Sequence, residues 1–178
     1  MMEKARIATL WLDGCSGCHM SLLDMDERLL EIAGKIELVF SPVVDTKEFP
    51  DNVDLTLVEG AVASDEDLEK IKHVRSKTKL LVALGDCAVT GNVPAMRNNF
   101  VLEEVLRRSY IENATANPGA PIQEVPLLEP KVIPLHESVP VDLFLPGCPP
   151  SADLIYFLLN EVLEGRVPDL ATRSRFGN

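Results

Sequence analysis

Apolar positions along this chain fall into two kinds of run. Ala5 to Leu12 (ARIATLWL), Ile36 to Phe40 (IELVF), Asp54 to Val62 (DLTLVEGAV), Lys79 to Leu84 (KLLVAL) and Val141 to Leu145 (VDLFL) are short and largely apolar, with Gly, Pro or Asp-Gly at or near most of their ends. Such runs read as strands buried on both faces. Between them apolar residues recur at helical spacing. Leu22, Leu23, Leu29, Leu30 and Ala33 predict a helix over 19–33 that Gly34 closes, and Leu68, Ile71 and Val74 predict a helix capped by Ser64, with Asp65, Glu66 and Asp67 in its first turn. Val101, Leu102, Val105 and Leu106 predict another, and Leu154, Ile155, Leu158, Leu159, Val162 and Leu163 a closing helix with Ser151 as its cap.

Strands that alternate with helices build a parallel sheet covered on both faces. The expected fold class is therefore α/β, a flavodoxin-like open parallel sheet of about five strands in the order 2-1-3-4-5. The chain of 178 residues suits a single domain over 1–178. The stretch 110–140 does not fit this scheme, being too long for a loop in a compact domain. Ten of the 13 prolines lie between Pro94 and Pro150. This reads as a long Pro-rich insertion before the last strand, an extended segment that packs on a partner chain, with a disordered insertion as the alternative.

Composition removes several classes of function. Apolar residues make up 46% and charged residues 25%, as in ordinary soluble proteins. Seventeen Lys+Arg against 28 Asp+Glu leave a formal net charge of −11. Phosphate backbones and anionic lipid surfaces are repelled on average, so neither nucleic acid nor a membrane is an expected partner. No apolar run approaches the roughly 18–20 residues of a spanning helix. The first run is interrupted by Asp13 and carries neither a cleavage site nor a twin-arginine pair, so a cytoplasmic location is expected. Gly14, Gly17 and Gly85 form no dinucleotide fingerprint and no Walker A run.

The chemistry lies in four cysteines. Cys15 and Cys18 follow the first predicted strand, Cys87 the fourth and Cys148 the fifth. The carboxyl ends of parallel strands share one sheet edge, the edge where open α/β sheets bind ligands. Cys15, Cys18 and Cys148 adjoin a glycine and Cys87 lies two residues from one, and glycine's freedom lets backbone amides approach an anion closely. Cys18 and Cys87 lie just before helices, whose N-terminal dipoles favour thiolate. Four thiolates at one point need a multivalent cation, either zinc or a 4Fe–4S cubane. Structural zinc usually takes two Cys-x-x-Cys pairs, so one pair plus two single cysteines on separate turns favours the cubane. The plainer alternative is a Cys-x-x-Cys thiol oxidoreductase on Cys15 and Cys18, with two buried thiols besides.

Four blocks carry a family resemblance. They are Leu12-Asp13-Gly14-Cys15-Ser16-Gly17-Cys18-His19-Met20-Ser21-Leu22-Leu23-Asp24, Glu59-Gly60-Ala61-Val62, Gly85-Asp86-Cys87-Ala88-Val89-Thr90-Gly91-Asn92-Val93-Pro94-Ala95 and Pro146-Gly147-Cys148-Pro149-Pro150. In this order they resemble the cluster motifs of the small subunit of nickel–iron hydrogenases. The run from His19 to Arg28 is similar to the cytosolic, NAD-reducing type. The resemblance implies that Cys15, Cys18, Cys87 and Cys148 hold one 4Fe–4S cluster proximal to a nickel–iron centre, and that this centre sits in a separate large subunit. It further implies diaphorase subunits with FMN, more iron–sulfur clusters and NAD. The chain would then be the electron-transfer subunit of a hydrogen:NAD+ oxidoreductase, with no catalytic residue of its own for hydrogen. A hydrogenase with a different acceptor is the neighbouring alternative. The exported members' further cysteine and histidine ligands are missing after Cys148. Ser16-Gly17 separates the first two cysteines, where the related respiratory complex I subunit has them adjacent.

Other residues carry weaker signals. Glu59 ends the third strand on the cluster edge, as a proton relay or as a plain loop acid. His19 adjoins Cys18, as a donor to a cluster sulfur or as an interface residue. Trp11 reads as packing, and His73 and His136 have no evident partners. The C-terminal run from Arg166, with Arg173 and Arg175, either docks on a partner or frays.

Overall fold

The computed structural model describes residues 4–176. Its main sheet contains β1 (Ala5–Trp11), β2 (Ile36–Phe40), β3 (Val53–Glu59), β5 (Thr78–Leu84) and β7 (Leu143–Leu145), in the order β2-β1-β3-β5-β7. Every neighbouring pair is parallel. Counted along the chain, this is the 2-1-3-4-5 order the pattern predicts. One face packs Ile71 and Val74 of α3 (Asp65–Lys77) against Leu10, Val58 and Leu81; the other packs Ile155 and Leu158 of α6 (Ala152–Leu163) against Ile7, Leu57 and Leu84. Burial on both sides of β1, β3 and β5 explains why these strands read as continuous apolar runs. The buried hydroxyls are paired, Thr56 with Thr78 at 2.8 Å and Thr9 with Ser41 at 2.8 Å.

The helix caps follow the sequence. Ser64 and Asp67 form a reciprocal capping box, and Ser151 Oγ accepts from the Leu154 amide at 3.3 Å. Three boundaries differ from expectation. The helix expected over 19–33 is two, α1 (Gly17–Leu23) and α2 (Arg28–Ala33), because the chain turns at Asp26 with φ 50 and buries Met25 between them. The strand expected through Val62 stops at Glu59, and Gly60 at φ 95 turns it into a separate β4 (Val62–Ser64). The last strand is three residues rather than five.

The Pro-rich segment has two parts. Its later part forms β6 (Leu128–Ile133), antiparallel to β4 of this same chain, and buries Val132 and Leu135. Asn98 fastens it with two bonds to Val132, at 2.7 and 2.8 Å. Its earlier part leaves Tyr110, Ile111, Ile122, Val125 and Leu127 exposed. Near the C-terminus Leu170 is buried and the Arg173 guanidinium lies 4.2 Å from the centre of the Phe157 ring, so this run docks on α6. Among the described residues no helix is long and apolar enough to cross a membrane.

Candidate metal centre

Three turns leave one sheet edge and carry the cysteines. β1 ends at Trp11, β5 at Leu84 and β7 at Leu145. Cys15 follows the first, Cys87 the second and Cys148 the third, with Cys18 in the first turn of α1 and Cys87 in that of α4 (Asp86–Thr90). None is in a disulfide; Cys18 is buried, Cys87 half-buried, and Cys15 and Cys148 are exposed.

Hydrogen bonds lock the turns to one another. The Asp86 amide donates to the Gly147 carbonyl at 2.9 Å, and the Asp86 carboxylate accepts from the Gly147 amide at 2.7 Å. This clamps the Cys87 turn to the Cys148 turn. The Ser21 hydroxyl donates to the Pro150 carbonyl at 2.5 Å, joining the first turn to the last. Asp13 and Ala61 exchange backbone bonds of 3.1 and 2.8 Å across Gly60. A Cβ on Gly60 would stand 2.8 Å from the Asp13 carbonyl oxygen, so the Glu-Gly-Ala segment requires glycine for this close approach.

Glu59 sits beneath the first ligand turn, 1% exposed. Its Oε1 accepts from the Cys18 amide at 3.3 Å and its Oε2 from the His19 amide at 2.9 Å. The His19 ring meets Oε2 through Nδ1 at 2.5 Å and Thr9 Oγ1 through Nε2 at 3.0 Å, and Thr9 donates to Ser41. Neither expected role for His19 holds. Its ring is buried, with Nδ1 engaged by Glu59 and Nε2 by Thr9. Trp11 is also displaced from its expected role in packing. Its indole is nearly half exposed and donates to the Gly14 carbonyl at 3.3 Å. His73 and His136 do have partners, the rings of Phe49 and Phe144.

The four cysteines are near enough to act on one another electrostatically. Burial pushes the Cys18 thiol far up from its ordinary pKa, and the Glu59 carboxylate and the Cys87, Cys15 and Cys148 thiols push it further. Burial also raises Cys87 against a hydrogen bond from the Val93 amide, with Cys148, Cys15 and Glu59 adding to the rise. Sulfur atoms that repel one another this way gain most from a multivalent cation among them. The fit is close: a Cβ on Gly85 would stand 2.2 Å from Cys18 Sγ and 3.4 Å from the Gly147 carbonyl oxygen. The backbone of the second turn therefore abuts the sulfur of the first. Donors reach the other sulfurs: the Gly17 amide donates to Cys15 Sγ at 3.4 Å and the Asn92 side-chain amide to Cys148 Sγ at 3.6 Å. Among the described residues no three His, Cys, Asp or Glu side chains are grouped so as to hold a metal ion.

Of the sequence candidates, all four cysteines and Glu59 meet here. Sequence reasoning missed Asp86, Ser21 and Asn92, because their partners lie in turns far along the chain. Only their placement beside cysteine-bearing motifs pointed to them.

Comparison with known proteins shows the family of the chain. Residues 15–162 match the family described as NADH ubiquinone oxidoreductase, 20 Kd subunit. The chain is 44% identical over 172 residues to the delta subunit of the NAD-reducing hydrogenase HoxS of Cupriavidus necator, covering 94% of this chain and 82% of that protein. It is 38% identical over 170 residues to a subunit of the F420-non-reducing hydrogenase vhu of Methanocaldococcus jannaschii, covering 94% of this chain but only 59% of that relative. A chain in the crystal structure of an NAD+-reducing nickel–iron hydrogenase in the H2-reduced state superposes with a TM-score of 0.89 at 42% identity, covering 93% of this chain and 94% of that one. A chain of the nickel–iron–selenium hydrogenase of Dm. baculatum shares the fold, with a TM-score of 0.60 at 22% identity, covering 94% of this chain and 67% of that one. The chain belongs to the NADH ubiquinone oxidoreductase 20 Kd subunit family and, within it, to the small subunits of the NAD-reducing nickel–iron hydrogenase type.

Proposed function

We propose that Cys15, Cys18, Cys87 and Cys148 hold one 4Fe–4S cluster. When bound, the cluster supplies a one-electron carrier between the nickel–iron centre of a large subunit and the iron–sulfur clusters and FMN of diaphorase subunits that reduce NAD. The chain is then the electron-transfer subunit of a cytoplasmic hydrogen:NAD+ oxidoreductase. The observation that carries this reading is the convergence of four sulfurs on three turns of one sheet edge, clamped by Asp86, Ser21 and Glu59. The exposed apolar side chains of Tyr110 to Leu127 are proposed to pack on a partner chain. Glu59, His19, Thr9 and Ser41 form a buried hydrogen-bonded line, and Glu59 is its proposed proton-relay end.

The rival readings are weaker. Structural zinc usually takes two Cys-x-x-Cys pairs, and this chain supplies one such pair with two single cysteines on separate turns. A reactive dithiol needs a lowered thiol pKa, and burial drives Cys18 the other way. Anaerobic purification with iron quantitation and identification of co-purifying chains tests the proposal. Cys15→Ser, Cys18→Ser, Cys87→Ser and Cys148→Ser should each lower iron and abolish hydrogen-dependent NAD reduction. Normal NAD reduction in any of them refutes ligation by that residue. Hydrogen oxidation with iron present but no reduction of NAD would point to a different acceptor.

A further inference from the structure

The donors to the sulfurs are unevenly supplied, and the exception is informative. Cys15 Sγ accepts from the amide two residues on, that of Gly17, at 3.4 Å. Cys148 has no such donor in its own turn, because Pro149 and Pro150 follow it and proline carries no N–H. The sulfur of Cys148 is reached from elsewhere. Gly91 ends α4 at φ 84 and Asn92 follows at φ 32, a reversal that brings Asn92 Nδ2 to 3.6 Å from Cys148 Sγ. The next amide, that of Val93, bonds the Cys87 sulfur. One tight turn thus serves two ligand sulfurs, one of them through a side chain.

We infer that Asn92 is a positioning and tuning residue that raises the midpoint potential of the cluster by donating a side-chain hydrogen bond to the Cys148 sulfur. The inference rests on the reading of the four cysteines as ligands of a 4Fe–4S cluster. A donor to a ligand sulfur stabilises the more negative, reduced state more than the oxidised one. The step concerned is the uptake of one electron, with all four sulfur–iron bonds kept and no proton moved. Removing the donor therefore makes reduction harder.

The test is an EPR-monitored potentiometric titration of the anaerobically purified complex, with dithionite as reductant. Asn92→Gly removes the donor at a position where positive φ costs glycine nothing. Asn92→Asp keeps the shape and replaces the donor by an anion. Both should retain the iron of the unmodified protein. In Asn92→Gly the reduced-to-oxidised ratio at the original midpoint should fall roughly threefold, about 28 mV at 59 mV per tenfold for one electron. Asn92→Asp should fall further. An unchanged midpoint in Asn92→Gly with full iron overturns the inference, as does loss of iron in both variants. Unmodified protein that holds no iron overturns the cluster reading itself, and with it this one.

Discussion

Gly85→Ala isolates the packing of the ligand turns from the cysteines themselves. Gly85 adopts φ 83 and ψ 163, a conformation open in practice to glycine alone. Any other residue there costs about 1–3 kcal/mol of backbone strain. The added methyl would stand 2.2 Å from Cys18 Sγ, where an ordinary contact is roughly 3.5–4 Å. The sulfur must therefore retreat by more than about 1 Å, which is enough to ruin a site that must be held to about 0.5 Å. Its alternatives are few, because Cys18 is buried and its amide is held by Glu59. The expected outcome is a folded chain, destabilised by about 1–3 kcal/mol, that has lost most of its bound iron. Iron per chain after anaerobic purification, read with circular dichroism and a urea titration, measures both parts. Gly34→Ala is the control: it sits at φ −70 with open space where the new methyl would go, and should hold full iron with stability unchanged or raised by about 0.4–1 kcal/mol. A Gly85→Ala protein with full iron and undiminished stability would refute the close packing of the first and second turns.

Two further substitutions separate clamp from relay. Asp86→Ala leaves the Gly147 amide without its partner in a buried place, which should cost about 1–3 kcal/mol and lower iron retention through the Cys148 turn; stability and iron equal to the unmodified protein would show that the clamp is unnecessary. Glu59→Gln keeps the shape but turns one acceptor into a donor facing an amide that already donates, at a cost of about 1 kcal/mol. Iron should be retained and hydrogen-dependent turnover slowed, and unchanged turnover would end the relay proposal.

Much of this architecture was legible in the residues because it rests on periodicity. Strands such as β3 and β5 are buried on both faces and so read as continuous apolar runs, and their alternation with helices implies a parallel sheet. Once the sheet is parallel, the ends of its strands share an edge by geometry alone, so Cys15, Cys18, Cys87 and Cys148 could be assigned to one region without coordinates. Where local conformation overrode periodicity, the reading failed. The apolar pattern over 19–33 runs on through Asp26, yet positive φ there divides the helix, and Gly60 breaks a strand whose residues alone would continue it.

The tertiary structure alone decided the contacts between turns. His19 lies beside a cysteine in the chain, but its partner Glu59 is 40 residues away, and the Ser21 hydroxyl finds a carbonyl 129 residues away. The pairing of β6 with β4, the Asp86 clamp and the approach of Asn92 to Cys148 are of the same kind. Apolar periodicity records which face of an element is buried. A hydrogen bond between two irregular turns depends on the dihedral angles of both, and those angles are selected only when the packed sheet brings the turns together.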